Sequence, residues 1–104
     1  MNKERDQLKA QYTFLYDEIE SILFKHDFMG INFEDNTDEY APEVDTILPR
    51  MKGAKNIEDV ASIIHEEFSR WFDADMAGDI NHPAYMAMAT EIWKAWIKYT
   101  HPLA

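Results

Sequence analysis

The chain has no cysteine, few glycines and prolines, and few basic residues. Without cysteine it forms neither a disulfide framework nor a thiolate metal site. Three glycines and four prolines in 104 residues provide little for the many tight turns of an all-β fold. Lys and Arg number 10 against 20 Asp and Glu, giving a net charge of −10, which argues against binding to nucleic-acid phosphates.

Long apolar runs are also missing. No run approaches the roughly 20 residues of a membrane span, and the opening residues MNKERDQLKAQ do not form the apolar segment of a signal peptide. We therefore expect a soluble cytoplasmic protein with no membrane partner. The chain does have 46% hydrophobic and 13% aromatic residues, enough for one modest core. Residues 1–104 are predicted to form one helical domain, either a monomer or a weak homodimer.

The spacing of apolar residues predicts the first two of four helices. Over residues 2–26 they recur every three or four positions, as in an amphipathic helix, and Gly30 follows as a terminator. A second helix is expected to begin near Pro42, because proline suits a first turn. It should kink or break at Leu48, since Pro49 disfavours helical backbone in the residue before it.

The third and fourth predicted helices have recognisable signals at their ends. Asn56 is expected to cap the third helix, which stops before Asp73. Pro83 opens the fourth, with Asn81 or His82 as its cap. The fold class is therefore predicted to be all-α, a small four-helix domain with a long acidic loop between helices 1 and 2.

Three tryptophans, Trp71, Trp93 and Trp96, belong to the apolar faces of these last two helices. At helical spacing such residues are expected in the core. The alternative is that they line a ligand pocket.

The stretch DADMAGDINHP, which begins at Asp73, has some features of a calcium-binding loop. Asp73 and Asp75 occupy ligand places 1 and 3, and Gly78 occupies the turn at place 6. However, places 5 and 12 are Ala77 and Ala84, which have no side-chain oxygen. We therefore expect a polar turn between helices in which Gly78 takes a positive φ.

Other catalytic and metal-binding patterns are incomplete. His65 and Glu66 are suited to acid–base work, but such a pair on a helix is more often structural. The zinc motif that they suggest needs a second histidine at position 69, which is Ser69. We predict no catalytic residue, no metal ligand and no cofactor.

The most unusual feature is an acidic segment between His26 and Pro49. It contains no Lys or Arg and has seven acidic residues: Asp27, Glu34, Asp35, Asp38, Glu39, Glu43 and Asp45. Aromatic residues lie among them, which is the composition of a binding patch. The predicted binding residues for a basic protein partner are Asp27, Asp35, Asp38, Glu39, Tyr40 and Glu43. Tyr40 would be the anchor of this patch, and the carboxylates would steer the partner.

Other interpretations of the acidic segment stay open. One is that its carboxylates are solvated and cap the second helix, where the helix dipole favours negative charge. A metal- or small-ligand-binding helical domain is a further alternative, and so is an enzyme without a recognisable motif.

The same stretch resembles a family of small helical bacterial proteins of unknown function. The family pattern is an Asp-Pro-x-Gly turn followed by an Asp-Glu-Tyr-x-x-Glu segment. The matching residues are Asp27, Gly30, Asp38, Glu39, Tyr40 and Glu43, whereas Phe28 replaces the usual proline. The resemblance implies a bacterial or phage protein and brings no established catalytic residue. In size, charge and helicity the chain is also similar to immunity proteins, which neutralise basic nuclease toxins.

Overall fold

The computed structural model describes residues 3–27 and 40–101, and every regular element in these two ranges is a helix. The elements are α1 Lys3–Tyr12, α2 Phe14–His26, α3 Ala41–Ile47, a 3₁₀ helix Leu48–Gly53, α4 Ile57–Trp71, α5 Ala74–Ala77 and α6 Pro83–Thr100. The all-α class is confirmed. The described part has six α-helices rather than the predicted four, and the predicted loop at 27–41 lies outside it except at the loop's two ends.

The prediction of one continuous helix over residues 2–26 is wrong. The chain turns at Thr13, which separates α1 from α2 and has φ 52° and ψ −127°. A positive φ is rare for a β-branched residue and costs on the order of 1–3 kcal/mol. The apolar spacing continues across this turn, which is why periodicity alone did not reveal it.

Helix α2 ends at His26, as predicted. Asp27 adopts the left-handed conformation, with φ 44° and ψ 46°, and its N–H donates to the Leu23 carbonyl at 2.9 Å. Asp27 therefore terminates the helix, whereas the predicted terminator Gly30 lies outside the described residues. Asp is one of the few residue types that tolerates this conformation.

Three other helix ends are as predicted. The Asn56 side chain accepts a hydrogen bond from the Asp59 N–H at 2.8 Å and so caps α4. His82 caps α6, its Nδ1 accepting from the Ala84 N–H at 3.1 Å. Helix α3 gives way to the 3₁₀ helix at Leu48, immediately before Pro49.

The core lies where α4 packs against α6; α2 also packs against α6, and α3 packs against both α4 and α2. Its centre consists of side chains with no exposed area, which include Leu15, Ile19, Val44, Ile64, Phe68, Met88 and Ile92. Burying one such side chain contributes about 1.5–3 kcal/mol to folding. Over 3–27 and 40–101, no helix is both long and apolar enough to span a membrane.

The tryptophans do not all belong to this core. Trp93 and Trp96 are half-buried and pack against it. Trp71, the last residue of α4, is 46% exposed, so the expectation of a buried side chain is wrong for it.

Candidate functional site

The described ends of the acidic segment are held together by Tyr40. Its ring has no exposed area and packs on Phe68, with the ring centroids 6.2 Å apart. Its hydroxyl donates to the Asp27 carboxylate at 2.9 Å. Tyr40 therefore joins the end of α2 to the start of α3 and does not have the exposed position that a docking anchor needs.

The other predicted binding residues differ in their positions in the structure. Glu43 is only 3% exposed, which removes its side chain from the surface. Asp27 is partly exposed beside Tyr40. The remaining three lie outside the described residues: Asp35, Asp38 and Glu39.

The stretch with calcium-loop features forms a turn built from its own carboxylates. Asp73 accepts the Met76 N–H at 2.8 Å and caps α5, a helix of one turn that was not predicted. Asp79 accepts the Asn81 N–H at 2.8 Å. Gly78 has φ 71°, so the predicted positive φ is confirmed. Across the described ranges, no three His, Asp or Glu side chains lie close enough together to hold a metal ion.

His65 and Tyr85 attach this turn to the core. The His65 Nε2 lies 2.8 Å from the Gly78 carbonyl oxygen, and its ring meets Tyr85 edge-on at 5.1 Å. The Tyr85 hydroxyl donates to the Ala77 carbonyl, and burial raises the pKa of Tyr85 to about 12. These contacts give His65 a structural position.

Glu66, the other candidate for acid–base work, forms an ion pair. Its Oε1 lies 2.6 Å from Arg50 Nη2, and the buried Glu67 accepts from Arg50 Nη1 at 2.8 Å. Arg50 thus joins the 3₁₀ helix to α4, and its two ion pairs stabilise the contact between these helices.

Residues 73–80, here called the acidic connection, place charge and apolar side chains together on the surface. Asp73, Asp75 and Asp79 are exposed, and the stretch has no Lys or Arg. Met76 is 52% exposed and Ile80 is 36% exposed. Large exposed apolar side chains ringed by charge are typical of interaction surfaces.

The acidic connection and the acidic segment meet the same group of core aromatics. The ring centroid of Phe68 lies 6.2 Å from that of Tyr40, the residue before α3, and 6.2 Å from that of Tyr85, whose hydroxyl donates to Ala77 in the acidic connection. Asp27, at the other end of the acidic segment, accepts a hydrogen bond from Tyr40. One aromatic cluster therefore contacts both the acidic connection and the described ends of the acidic segment.

A groove of about 470 Å³ lies between α1, the end of α3 and the end of α4. We call it the Trp71 groove; it is lined by Glu4, Gln7, Leu8, Gln11, Asp45, Thr46, Pro49 and Trp71. The Trp71 indole N–H donates to Thr46 Oγ1 at 3.0 Å, and this hydroxyl donates to the Glu43 carbonyl at 3.2 Å. The ring is thus held by its polar edge, and its exposed remainder is aromatic carbon.

The inner side of the groove contains an ion pair. Arg5 Nη2 lies 2.8 Å from Asp45 Oδ2, and the Tyr16 hydroxyl donates to Asp45 Oδ1 at 2.6 Å. Burial and this hydrogen bond raise the pKa of Tyr16, and Asp45 raises the pKa of Arg5. Because Arg5 balances the charge of Asp45, Glu4 is the carboxylate of the lining that stays available to a ligand.

No protein-family model, curated protein or solved structure matches the chain. The resemblance of residues 26–48 to small helical bacterial proteins stays a prediction, and so does the similarity to immunity proteins.

The sequence predictions did not include Trp71 or the acidic connection among the binding residues. A signal for both was present. Trp71 stands at the last turn of a helix, where a neighbouring helix covers less of its ring. Three aspartates within positions 73–79, with no basic residue among them, resemble the density of carboxylates in the acidic segment.

Proposed function

We propose that the chain is a protein-interaction module that binds a basic protein partner through its acidic surface. The observation that carries the proposal is the acidic connection, where three exposed aspartates lie close in sequence to the exposed side chains Met76 and Ile80. Carboxylates steer a basic partner, and the apolar side chains supply contact area that is removed from water on binding.

The net charge of −10 supports the same function. Local caps explain the positions of Asp73 and Asp79, whose carboxylates accept backbone N–H groups. Caps do not explain the exposure of Met76 and Ile80 beside them. A role in solubility alone would favour polar residues at these two positions.

The test is capture of the partner by the immobilised full chain from the cells that make it. Each retained protein is identified, purified and titrated at about 50 mM and about 500 mM salt, between which the Debye length falls to roughly a third. We expect a partner rich in Lys and Arg that is retained at low salt and released at high salt. A purified partner without a basic surface, or an affinity that does not change with salt, would contradict the proposal.

The partner's binding site is then tested by replacing Asp73, Asp75 and Asp79 together with Asn. Asparagine caps as well as aspartate, so the turn keeps its hydrogen bonds while it loses three charges. Binding of the purified partner should weaken by about tenfold or more, as expected for the loss of several steering charges. Retained affinity in this variant would place the binding surface elsewhere.

A further inference from the structure

We propose that the Trp71 groove receives an arginine side chain of the partner. This inference rests on the proposed function and adds the residue type that the partner presents. The first observation is the exposure of Trp71, which is 46% exposed at the wall of a groove of about 470 Å³. Its ring is held through Thr46, so the aromatic face does not need to be ordered when a ligand stacks on it.

The charge of the lining selects a cation. Among the described residues, eight line the groove; none of these is Lys or Arg, and two, Glu4 and Asp45, are acidic. Arg5 neutralises Asp45 from the inner side, which leaves the exposed Glu4 to pair with an incoming positive charge. A cation over an indole ring is attracted by its π face, and tryptophan is the strongest of the aromatic residues in this respect.

The polar groups favour arginine over lysine. A guanidinium is planar, stacks flat on an aromatic ring and presents five N–H donors. Gln7, Gln11 and Glu4 line the groove along α1 and offer side-chain oxygens as acceptors. A lysine ammonium has three donors, is more strongly hydrated and does not stack, so it would use fewer of these groups.

A protein partner suits the groove better than a second copy of this chain. Two copies would each carry −10, and their carboxylates would repel across a shared interface. The acidic connection begins at Asp73, two residues after Trp71. The basic surface of a partner bound to the acidic connection therefore lies next to the groove. One basic partner is thus able to contact both sites.

The probe for the test is the peptide acetyl-Gly-Arg-Gly-Arg-Gly-amide, titrated into the full chain at low salt. The signal is the indole N–H resonance of Trp71 in nitrogen-15 NMR spectra, assigned from its disappearance in Trp71→Leu. We expect this resonance to shift and saturate, while those of Trp93 and Trp96 move less. The peptide with Lys in place of Arg should bind about threefold more weakly, because an ammonium neither stacks on the ring nor presents a planar fork of N–H donors.

Matched control variants distinguish binding in the groove from the effect of removing any exposed carboxylate or any exposed aromatic side chain. The variants are compared by isothermal titration calorimetry, because Trp71→Leu has no Trp71 resonance to follow. The affinity for the arginine peptide should fall about fivefold in Trp71→Leu and stay unchanged in Phe14→Ala, at a site 60% exposed. Glu4→Gln should weaken binding of the arginine peptide by about threefold. Glu58→Gln also removes an exposed first-turn carboxylate, but from α4, and should change affinity by less than half as much.

The outcomes distinguish this inference from the proposed function. Loss of affinity confined to Trp71→Leu and Glu4→Gln, with a saturating shift of the Trp71 resonance, is the expected result. Equal affinity in these variants and their controls, or no shift of that resonance, would overturn the arginine site. If a captured basic partner then still binds Trp71→Leu as tightly as the unaltered chain, the proposed function stands without this site.

Discussion

Tyr40 shows how one side chain changes its interpretation once its surroundings are known. In the sequence it lies among carboxylates, which is why it was predicted to be the anchor of a binding patch. In the structure its ring is buried on Phe68 and its hydroxyl binds Asp27. Sequence shows the neighbours along the chain, but burial depends on which helix packs across the residue.

The first prediction concerns this buried position. Tyr40→Ala should lower the free energy of unfolding by about 3 kcal/mol or more, because it removes a large buried ring and leaves a cavity. Tyr40→Phe keeps the ring and loses the hydrogen bond to Asp27, so it should cost about 1 kcal/mol. Urea denaturation followed by circular dichroism measures both. A Tyr40→Ala variant as stable as the unaltered chain would show that the ring is not part of the core.

A second prediction at this scale concerns Glu91. Its carboxylate binds Lys25 and His26, and these two contacts lower its pKa below the ordinary value of 4.5. Since the pKa is lowered on folding, the stabilisation is present above the pKa of the unfolded chain. It is lost as the pH falls through the lowered pKa of the folded chain.

Glu91→Gln should therefore destabilise the protein at neutral pH, and its difference from the unaltered chain should shrink as the pH is lowered from about 4.5 toward 3. Urea midpoints at several pH values measure this difference. Glu18→Gln, which removes another carboxylate beside Lys25, is the control. A difference that stays constant over this range would mean that the ion pairs do not lower the pKa of Glu91.

At the scale of elements, the predictable features were those set by local chemistry. The Asn56 cap, the break before Pro49 and the His82 cap depend on a few adjacent residues, so the sequence contained what was needed to predict them. The turn at Thr13 was not predictable in this way. The apolar spacing runs through Thr13, and a strained conformation is retained only because α1 and α2 pack against α3 as separate helices.

The third prediction tests the strain at this turn. Thr13→Gly should raise the free energy of unfolding by about 1 kcal/mol, because relief of the positive φ exceeds the entropy that glycine adds to the unfolded chain. Thr13→Ala keeps a Cβ and should give no such gain. Thermal unfolding of the unaltered chain, Thr13→Gly and Thr13→Ala measures the order of their stabilities. A loss of stability in Thr13→Gly would contradict the observed backbone conformation.

Helix α4 shows the limit of periodicity. Its apolar stripe passes through Val60, Ile64 and Phe68, which are fully buried, and ends at Trp71, which is exposed. The spacing places all four on one face, but α6 and α3 do not cover that face to its end. The groove at Trp71 thus depends on where the neighbouring helices stop, which is a tertiary property that apolar spacing does not record.

At the scale of the whole molecule, the apolar spacing correctly predicted an all-α fold, and the composition showed a strong negative charge. The composition did not show how the charge is arranged. The structure shows that α5 and the turn after it carry exposed aspartates beside exposed apolar side chains. The four acidic residues of the acidic segment at 34–39 lie outside the described residues, so their contribution to binding stays a prediction.

The fourth prediction follows from the net charge of −10. Like charges repel more strongly in the compact chain than in the unfolded one, and salt screens this repulsion. The melting temperature should therefore rise as sodium chloride increases from about 10 to about 200 mM, over which the Debye length falls from roughly 30 Å to under 8 Å. A melting temperature that falls over this range would indicate that the ion pairs outweigh the repulsion.

The proposed function requires that the position of the carboxylates, and not only their number, determines binding. Two variants with the same net charge test this requirement. One replaces Asp73, Asp75 and Asp79 with Asn. The other removes three exposed carboxylates from α1, α2 and α4: Asp6→Asn, Asp17→Asn and Glu58→Gln.

The most direct measurement is the rate constant for association of each variant with the captured basic partner at about 50 mM salt, where steering is strong. We predict that replacing the aspartates of the acidic connection slows association about tenfold, while the control with equal charge slows it less than threefold. Equal slowing in the two variants would contradict the account, because the acidic connection would then contribute only its share of the net charge.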